Sequence, residues 1–273
     1  MGVAEYGRRD GRPVVYFHGF PGSRLEASLA DGAAKRLGIR LVAFDRPGMG
    51  RSAFQHGRTV TDIASPASGL ADALGIPNFP VLGVSGGAPY ALACAVLLPG
   101  RVTRVGLVSP VGPFCERRYR SVLATPQRAA VHLATLAPPL FRRMLRKASG
   151  MIRSDPERFL RRVAEKSGSP DREFVLAHLP LFADNLREAF RDGDRGTVRE
   201  ADLLVRPWGV RPADARTPVL LWHGGRDRTV PLSVGVRMAE DIPGCRASFP
   251  PEEGHFSLAI GRTEEILSAL VEG

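Results

Sequence analysis

Apolar and polar positions alternate in blocks along the chain. Short runs rich in Val, Ile, Leu and aromatic residues each end at a loop of Gly, Ser, Asp or His, a pattern typical of buried strands. These runs lie at residues 13–17, 39–45, 79–85, 104–110 and 218–224. Helices are predicted between them at residues 24–37, 59–74 and 87–98. Continuous apolar strands that alternate with helices predict an α/β fold with a doubly wound, mostly parallel sheet.

The middle of the chain lacks the strand pattern. Signals for helix starts replace it: Ser154 or Asp155 precedes Pro156, and Ser169 precedes Pro170, so that a capping side chain stands just before a proline of the first turn. We therefore predict three segments. Residues 1–112 form the first part of an α/β core, residues 113–211 form an inserted helical cap, and residues 212–273 form the second part of the core.

Composition excludes several classes of protein. With 273 residues, 44% of them hydrophobic, the chain can bury a sizeable core without disulfides. The formal net charge is +10, and residues 113–207 hold 19 Lys and Arg against 12 Asp and Glu. These basic residues interleave with acidic ones as on a solvated helix face, and no nucleic-acid motif accompanies them. We expect no nucleic-acid partner.

The cysteines and the longest apolar runs bear on location. Cys94, Cys115 and Cys245 are widely spaced, which suggests neither a disulfide framework nor a zinc site. No run approaches the ~20 apolar residues that span a bilayer, and the first residues lack the apolar region of a secretory leader. The expectation is a cytoplasmic protein without a membrane span.

One glycine-rich turn carries candidate chemistry. The residues from Gly83 to Gly87 read G-V-S-G-G, which matches the G-x-S-x-G pattern between a predicted strand and a predicted helix. In such an elbow Gly83 and Gly87 leave room for a sharp turn, and the Ser85 hydroxyl stands at the positive end of the following helix. Taken alone, the pattern is also typical of a tight glycine turn with an incidental serine.

Three further sites supply what a serine nucleophile needs. Asp227 follows a predicted strand, and His255 lies in a loop before the last helix, so the chain order is Ser, Asp, His. Upstream, the sequence H-G-F-P offers the backbone N–H of Phe20, which together with that of Gly86 would form an oxyanion hole.

These motifs, with the D-R-P-G-x-G-x-S sequence of residues 45–52, resemble the α/β-hydrolase family in its cap-bearing branch with an H-G-x-P oxyanion loop. The resemblance covers nearly the whole chain and implies the α/β-hydrolase fold. Members of the family usually open with an antiparallel hairpin, whereas only 12 residues precede the run at 13–17 here. The sequence leaves open whether the first strand of the hairpin is missing.

The resemblance implies a serine hydrolase that cleaves a small or medium carboxylic ester, or a related acyl compound, through an acyl-enzyme. Ser85 would be the nucleophile, His255 the base and Asp227 the residue that orients it, with no metal or organic cofactor. Alternatives on the same triad are a carbon–carbon bond hydrolase, an aminopeptidase-like hydrolase and a lyase. A non-catalytic ligand receptor with the same fold is a further alternative.

Other residues keep two interpretations. His18 is expected to support the oxyanion loop, and His223, close to Asp227, is expected to be a packed histidine rather than the base. Arginines of the insertion either face solvent or bind an anionic substrate group: Arg117, Arg118, Arg120, Arg142, Arg143 and Arg146. Its aromatic residues line an apolar pocket or fill the core of the cap: Phe114, Phe141, Phe182, Phe190 and Trp208. The oligomeric state is open.

Overall fold

The computed structural model describes residues 1–272. Within them a seven-stranded sheet has the order β1-β3-β2-β4-β5-β6-β7. The strands are β1 (Val3–Gly7), β2 (Arg12–Phe17), β3 (Ile39–Phe44), β4 (Phe79–Val84), β5 (Val102–Val108), β6 (Val219–Trp222) and β7 (Arg246–Ser248). Strands β2 to β7 are parallel to one another, and the edge strand β1 is antiparallel to β3. The predicted α/β-hydrolase fold with a mostly parallel sheet is confirmed.

Helices occupy the connections between the strands. Those of the sheet region are α1 (Asp31–Arg36), α2 (Ala64–Ala73), α3 (Ala88–Leu97), α11 (Leu232–Asp241), α12 (His255–Gly261) and α13 (Thr263–Val271). Those between β5 and β6 are α4 (Arg117–Arg120), α5 (Thr125–Leu136), α6 (Pro138–Ser154), α7 (Pro156–Ser167), α8 (Asp171–Ala177), α9 (Leu179–Ala189) and α10 (Arg195–Leu204). Within the described part of the chain no helix is long and apolar enough to cross a membrane.

The strand β1 forms one edge of the sheet. It pairs along its full length with β3, from Val3 opposite Phe44 to Gly7 opposite Arg40. One antiparallel strand therefore precedes β2, in a stretch for which the sequence pattern predicted no strand. The reason is that β1 lies at an edge, where its residues are exposed or half-buried and show no apolar run.

Apolar side chains cover both faces of the sheet. On one face Val15, Phe17 and Val81 pack with residues of α2, α3 and α11. On the other face Val14 and Leu41 pack with residues of α1, α12 and α13. Because both faces are buried, the central strands need the continuous apolar runs from which they were predicted.

The helices between β5 and β6 pack in two ways. Tyr119 of α4 and Val131 of α5 join the core beneath the sheet, whereas α7, α8 and α9 supply most of a separate apolar cluster. Asp155 caps α7, since its side chain accepts a hydrogen bond from the amide of Arg158 at 2.9 Å. The next helix begins later than expected. Its N-cap residue is Pro170 rather than Ser169, so α8 starts one residue further along the chain.

Candidate active site

Ser85 lies in a sharp turn between β4 and α3. Its backbone φ is +51°, in the left-handed region that non-glycine residues rarely adopt and that recurs at functional sites. The neighbouring glycines make this turn feasible. A Cβ at Gly87 would lie 2.1 Å from the carbonyl oxygen of Phe17, and one at Gly83 would lie 2.9 Å from the Gly87 carbonyl oxygen. The turn holds the serine at the carboxyl end of the sheet.

Asp227 and His255 form a buried pair near the ends of β6 and β7. His255 Nδ1 donates a hydrogen bond to Asp227 Oδ2 at 2.7 Å. The other carboxylate oxygen, Oδ1, accepts from the amides of Thr229 at 2.8 Å and Val230 at 2.7 Å. With both carboxylate oxygens engaged, Asp227 has one orientation, and it fixes the tautomer of His255 that carries its proton on Nδ1.

The two side chains shift each other's titration. Burial alone opposes ionisation of Asp227, but the charge of His255 and the hydrogen bonds lower the pKa of Asp227 well below its usual range. Burial likewise lowers the pKa of His255, yet the charge and hydrogen bond of Asp227 outweigh it and raise that pKa above 6.5. Asp227 is therefore ionised at neutral pH, and the imidazole is a strengthened base.

Ser85 and His255 line one cavity of about 230 Å³, between the carboxyl ends of the strands and helices α7 and α9. This is smaller than ligand pockets of roughly 300–1,000 Å³ and suits a small molecule. Most of its other lining residues are apolar and include Leu29, Leu82, Val84, Val108, Phe159, Leu160, Val163, Phe182, Leu186, Phe256 and Ile260. Among residues 1–272 no hydrogen bond joins Ser85 to His255, as is common before a substrate tightens such contacts.

The H-G-F-P loop brings Phe20 against the elbow. The amide nitrogen of Phe20 lies 3.2 Å from the point that a Cβ of Gly86 would occupy. Arg46 holds this loop, because its guanidinium donates to the carbonyl oxygens of His18 at 2.5 Å and Gly19 at 3.0 Å. Phe20, in the loop that Arg46 holds, thus packs against Gly86 of the elbow, the other residue predicted to form the oxyanion hole.

The role expected for His18 agrees with its position. It is fully buried, and its Nδ1 bonds to the Gly19 carbonyl oxygen at 2.9 Å. Burial lowers the pKa of His18 well below 6.5, and the charge of Arg46 acts in the same direction. His18 is therefore neutral and supports the loop.

A buried ionic network connects this loop to α10. Glu200 is fully buried and forms ion pairs with Arg46 at 2.7 Å and with Arg58. Arg58 also donates to the hydroxyl of Tyr90 at 3.2 Å. Burial opposes ionisation of Glu200, but the two guanidinium charges lower its pKa to about 2. The sequence patterns gave no signal for this network.

Asp171 of α8 binds the start of the helix that carries His255. Its Oδ2 accepts from the amide of His255 at 2.8 Å, and its Oδ1 accepts from the amides of Phe256 at 2.8 Å and Ser257 at 2.9 Å. A Cβ at Gly254 would lie 2.4 Å from this carboxyl group. Asp171 therefore holds His255 and the start of α12 in place, and the local helix pattern gave no indication of this contact.

Glu26 is the one carboxyl group among the described residues that line the cavity. It lies in the 3₁₀ turn Arg24–Ala30. Its Oε1 accepts from the hydroxyl of Tyr16 at 2.9 Å and from the amide of Gly19 at 2.7 Å. Burial raises the pKa of Glu26 despite these bonds. The sequence gave no signal for it beyond its position seven residues after Gly19.

The remaining candidates lie elsewhere. His223 is fully buried outside the cavity, with Nε2 bonded to the Val230 carbonyl oxygen at 2.9 Å and 3.3 Å from Asp227 Oδ2, in agreement with a packed histidine. Of the aromatic residues singled out in the insertion, only Phe182 is among the described residues that line the cavity. No arginine is among the described residues that line the cavity either. The structure therefore does not support the interpretation that arginines of the insertion bind an anionic substrate group. Arg142 pairs with Asp202, and Arg118 pairs with Asp241.

Comparison with known proteins identifies the family of the chain. The chain matches the family model of the α/β-hydrolase fold over residues 12–261, and it belongs to that family. A protein named as a carbamate hydrolase (RutD) of Caulobacter sp. (strain K31) is 28% identical over 226 residues, 80% of this chain and 74% of that protein. The proline iminopeptidase of Xylella fastidiosa (strain 9a5c) is 26% identical over 284 residues, 91% of this chain and 85% of that protein.

Solved structures share the fold. An esterase (EaEST) from Exiguobacterium antarcticum superposes with a TM-score of 0.75 at 22% identity, over 99% of this chain and 95% of that one. With its family membership and hydrolase-named relatives, the chain is an enzyme of the α/β-hydrolase family.

Proposed function

We propose that the protein is a serine hydrolase that cleaves a small or medium carboxylic ester, or a related acyl compound, through an acyl-enzyme. The observation that carries this proposal is the 2.7 Å bond from His255 to Asp227 beside a cavity that Ser85 also lines. A serine hydroxyl is a weak nucleophile on its own, and a carboxylate-bound imidazole is the group that activates it.

In the proposed reaction Ser85 Oγ attacks the carbonyl carbon of the substrate while His255 Nε2 takes the hydroxyl proton. The imidazolium keeps its Nδ1–H bond to Asp227, whose negative charge stabilises it. His255 then returns the proton to the leaving group as the acyl-enzyme forms. Water activated by the same histidine releases the acyl group as a carboxylic acid.

The negative oxygen of the tetrahedral intermediate would be held by the amides of Phe20 and Gly86. Arg46 supports this role, since it binds the carbonyl side of the Gly19–Phe20 peptide at 3.0 Å and polarises the N–H on the other side.

We further propose that residues 113–211 act as the cap over this site. Phe159 and Leu160 of α7 and Phe182 of α9 line the cavity opposite Ser85. Their apolar side chains would exclude water from the reaction and contact an apolar part of the substrate.

Relatives named for other acyl compounds are consistent with this chemistry. A carbamate, after which one relative is named, has a carbonyl that the same serine could attack. Another relative is named as a proline iminopeptidase. Hydrolysis of an amide is therefore one of the outcomes that the test below distinguishes.

The proposal is tested by hydrolysis of p-nitrophenyl esters of graded acyl length, with a short-chain amide and carbamate in parallel. Wild-type protein is expected to release p-nitrophenol with a burst equal to the enzyme concentration. Ser85→Ala should lose the burst, and Asp227→Asn should lower kcat about 10⁴-fold, as in other triads.

His132→Ala is the matched control, since His132 is an exposed histidine of α5, and it should retain wild-type rates. Ester turnover that survives Ser85→Ala would contradict the assignment. Turnover of the amide alone would replace the ester by a peptidase-like substrate.

A further inference from the structure

Glu26 is the one carboxyl group among the described lining residues of the cavity that the proposed mechanism does not use. Its two oxygens differ. Oε1 accepts from Tyr16 and from the amide of Gly19, whereas Oε2 accepts no hydrogen bond from residues 1–272. Glu26 is half-buried, and Oε2 is not fully enclosed by protein atoms, so this oxygen can accept a hydrogen bond from a donor that enters the cavity.

The other polar groups of the cavity do not supply that donor. The side-chain oxygen of Asn185 accepts from the amide and hydroxyl of Ser23 at 2.8 Å each, and its NH₂ group makes no hydrogen bond to Glu26. Thr263 donates its hydroxyl within its own helix region, to Ala259 and Ile260. No lysine or arginine is among the described lining residues. Since none of these groups donates to Oε2, a donor group of the ligand can bind to this oxygen.

We propose that Glu26 is a specificity residue whose Oε2 accepts a hydrogen bond from a hydroxyl or protonated amine carried by the substrate. This inference rests on the proposed function, which makes the cavity the substrate site. It narrows the substrate to hydroxyl- or amino-substituted acyl compounds and disfavours anionic ones, since a substrate carboxylate would face the Glu26 charge without a compensating cation.

The competing interpretation is that Glu26 only braces the oxyanion loop. Bracing uses Oε1, the oxygen bonded to Gly19 and Tyr16. Glu26→Gln can keep a carbonyl oxygen at that position, while its amide NH₂ replaces Oε2. The substitution thus preserves the brace and turns the free acceptor into a donor, so specificity separates the two interpretations.

The experiment measures kcat/KM for two matched ester series. In one the acyl chain ends in a methyl, hydroxyl, ammonium or carboxylate group, and in the other the alcohol portion carries the same groups. In at least one series the hydroxyl and ammonium esters should exceed the methyl ester by about 10-fold or more, as hydrogen bonds to a charged partner allow. Glu26→Gln should reduce this ratio to below about 3-fold.

Glu188→Gln is the matched control. Glu188 is a carboxylate of α9 that pairs with Arg24 at 2.7 Å and is not a lining residue, so the preference for donor groups should persist in this variant. The inference is overturned if neither series prefers a donor, or if the preference survives Glu26→Gln.

Failure of the proposed function is recognised separately, by absence of turnover and of serine labelling with every ester. Calorimetric binding of the N-methylamides of the same acyl groups then tests Glu26 alone. Tighter binding of the hydroxyl and ammonium compounds, lost in Glu26→Gln, supports the inference, and equal binding of all four compounds overturns it.

Discussion

Replacement of Asp171 by alanine tests whether the helices between β5 and β6 position His255, the proposed base. Asp171 is 1% exposed and accepts hydrogen bonds from the amides of His255, Phe256 and Ser257. Bonds to a charged acceptor contribute about 1.5 kcal/mol each, or about 4.5 kcal/mol together. Removal of the carboxylate also removes its own cost of burial, so the expected loss in the free energy of unfolding is about 3 kcal/mol.

The variant should also lose activity. The freed amides lie at the start of α12, where His255 is the first residue, and a shift of about 1 Å in a catalytic group can lower the rate about 10²-fold. Urea unfolding measures the free energy of unfolding. In a second measurement, kcat for an activated ester is determined under conditions in which each variant is folded.

Asp155→Ala is the matched control for Asp171→Ala. Asp155 caps α7 through a single exposed bond to Arg158, so its loss should cost about 1 kcal/mol and leave kcat unchanged. If Asp171→Ala were no less stable than Asp155→Ala and kept wild-type kcat, the inserted helices would not position His255 as inferred.

Three further predictions concern pH and packing. Asp227 raises the pKa of His255 above the ordinary value for histidine, and the neutral imidazole is the proposed base. A pH profile should therefore show kcat/KM falling with decreasing pH through that raised pKa. Gly87→Ala should prevent stable folding, because its Cβ would meet a carbonyl oxygen at 2.1 Å, whereas Gly69→Ala in open space should be neutral or stabilising by up to about 1 kcal/mol in thermal unfolding. Glu200→Gln should lower the free energy of unfolding by about 3–5 kcal/mol, because it leaves the charges of two buried arginines uncompensated. The control Glu264→Gln, at an exposed ion pair, should lower it by less than about 1 kcal/mol.

Each of these has a contrary outcome. A rate that rises as pH falls below 6.5 would exclude neutral His255 as the base. Equal melting temperatures for the Gly87 and Gly69 variants would contradict the close approach at the elbow. A Glu200 variant as stable as the Glu264 variant would mean that its buried network contributes no net stability.

The pH dependence of stability has a definite sign for Glu200. Its pKa is lowered to about 2 in the folded protein, from 4.5 in the unfolded chain. Its contribution is therefore present above about pH 4.5 and is lost as pH falls toward 2.

Local patterns predicted the central strands of the confirmed fold, and they also predicted the strand-to-helix turn at residues 83–87. Residues 39–44 and 79–84 are buried on both faces of the sheet, so their apolar runs are continuous and readable. The glycines Gly83 and Gly87 could likewise be recognised from the local sequence, because the turn that requires them is formed by residues close in the chain. The strand β1 was missed because an edge strand has no such run.

Other parts of the candidate site depend on contacts between distant residues. Glu200 lies 154 positions from Arg46, and Asp171 lies 84 positions from His255. In sequence each is a charged residue of a polar helix, which is typical of a solvated face, and only the packing of α8 and α10 on the sheet region buries it. Glu26 differs, since burial in the cavity rather than a distant partner sets its properties.

Identification of the nucleophile is the most direct measurement of the proposed function. Wild-type protein is treated with a fluorophosphonate of short chain length, digested, and the modified peptide is sequenced by mass spectrometry. The expected result is one adduct per chain, on Ser85 in the segment that follows β4, with no adduct on Ser85→Ala. An adduct on another residue, or equal labelling of Ser85→Ala, would contradict a Ser85 acyl-enzyme.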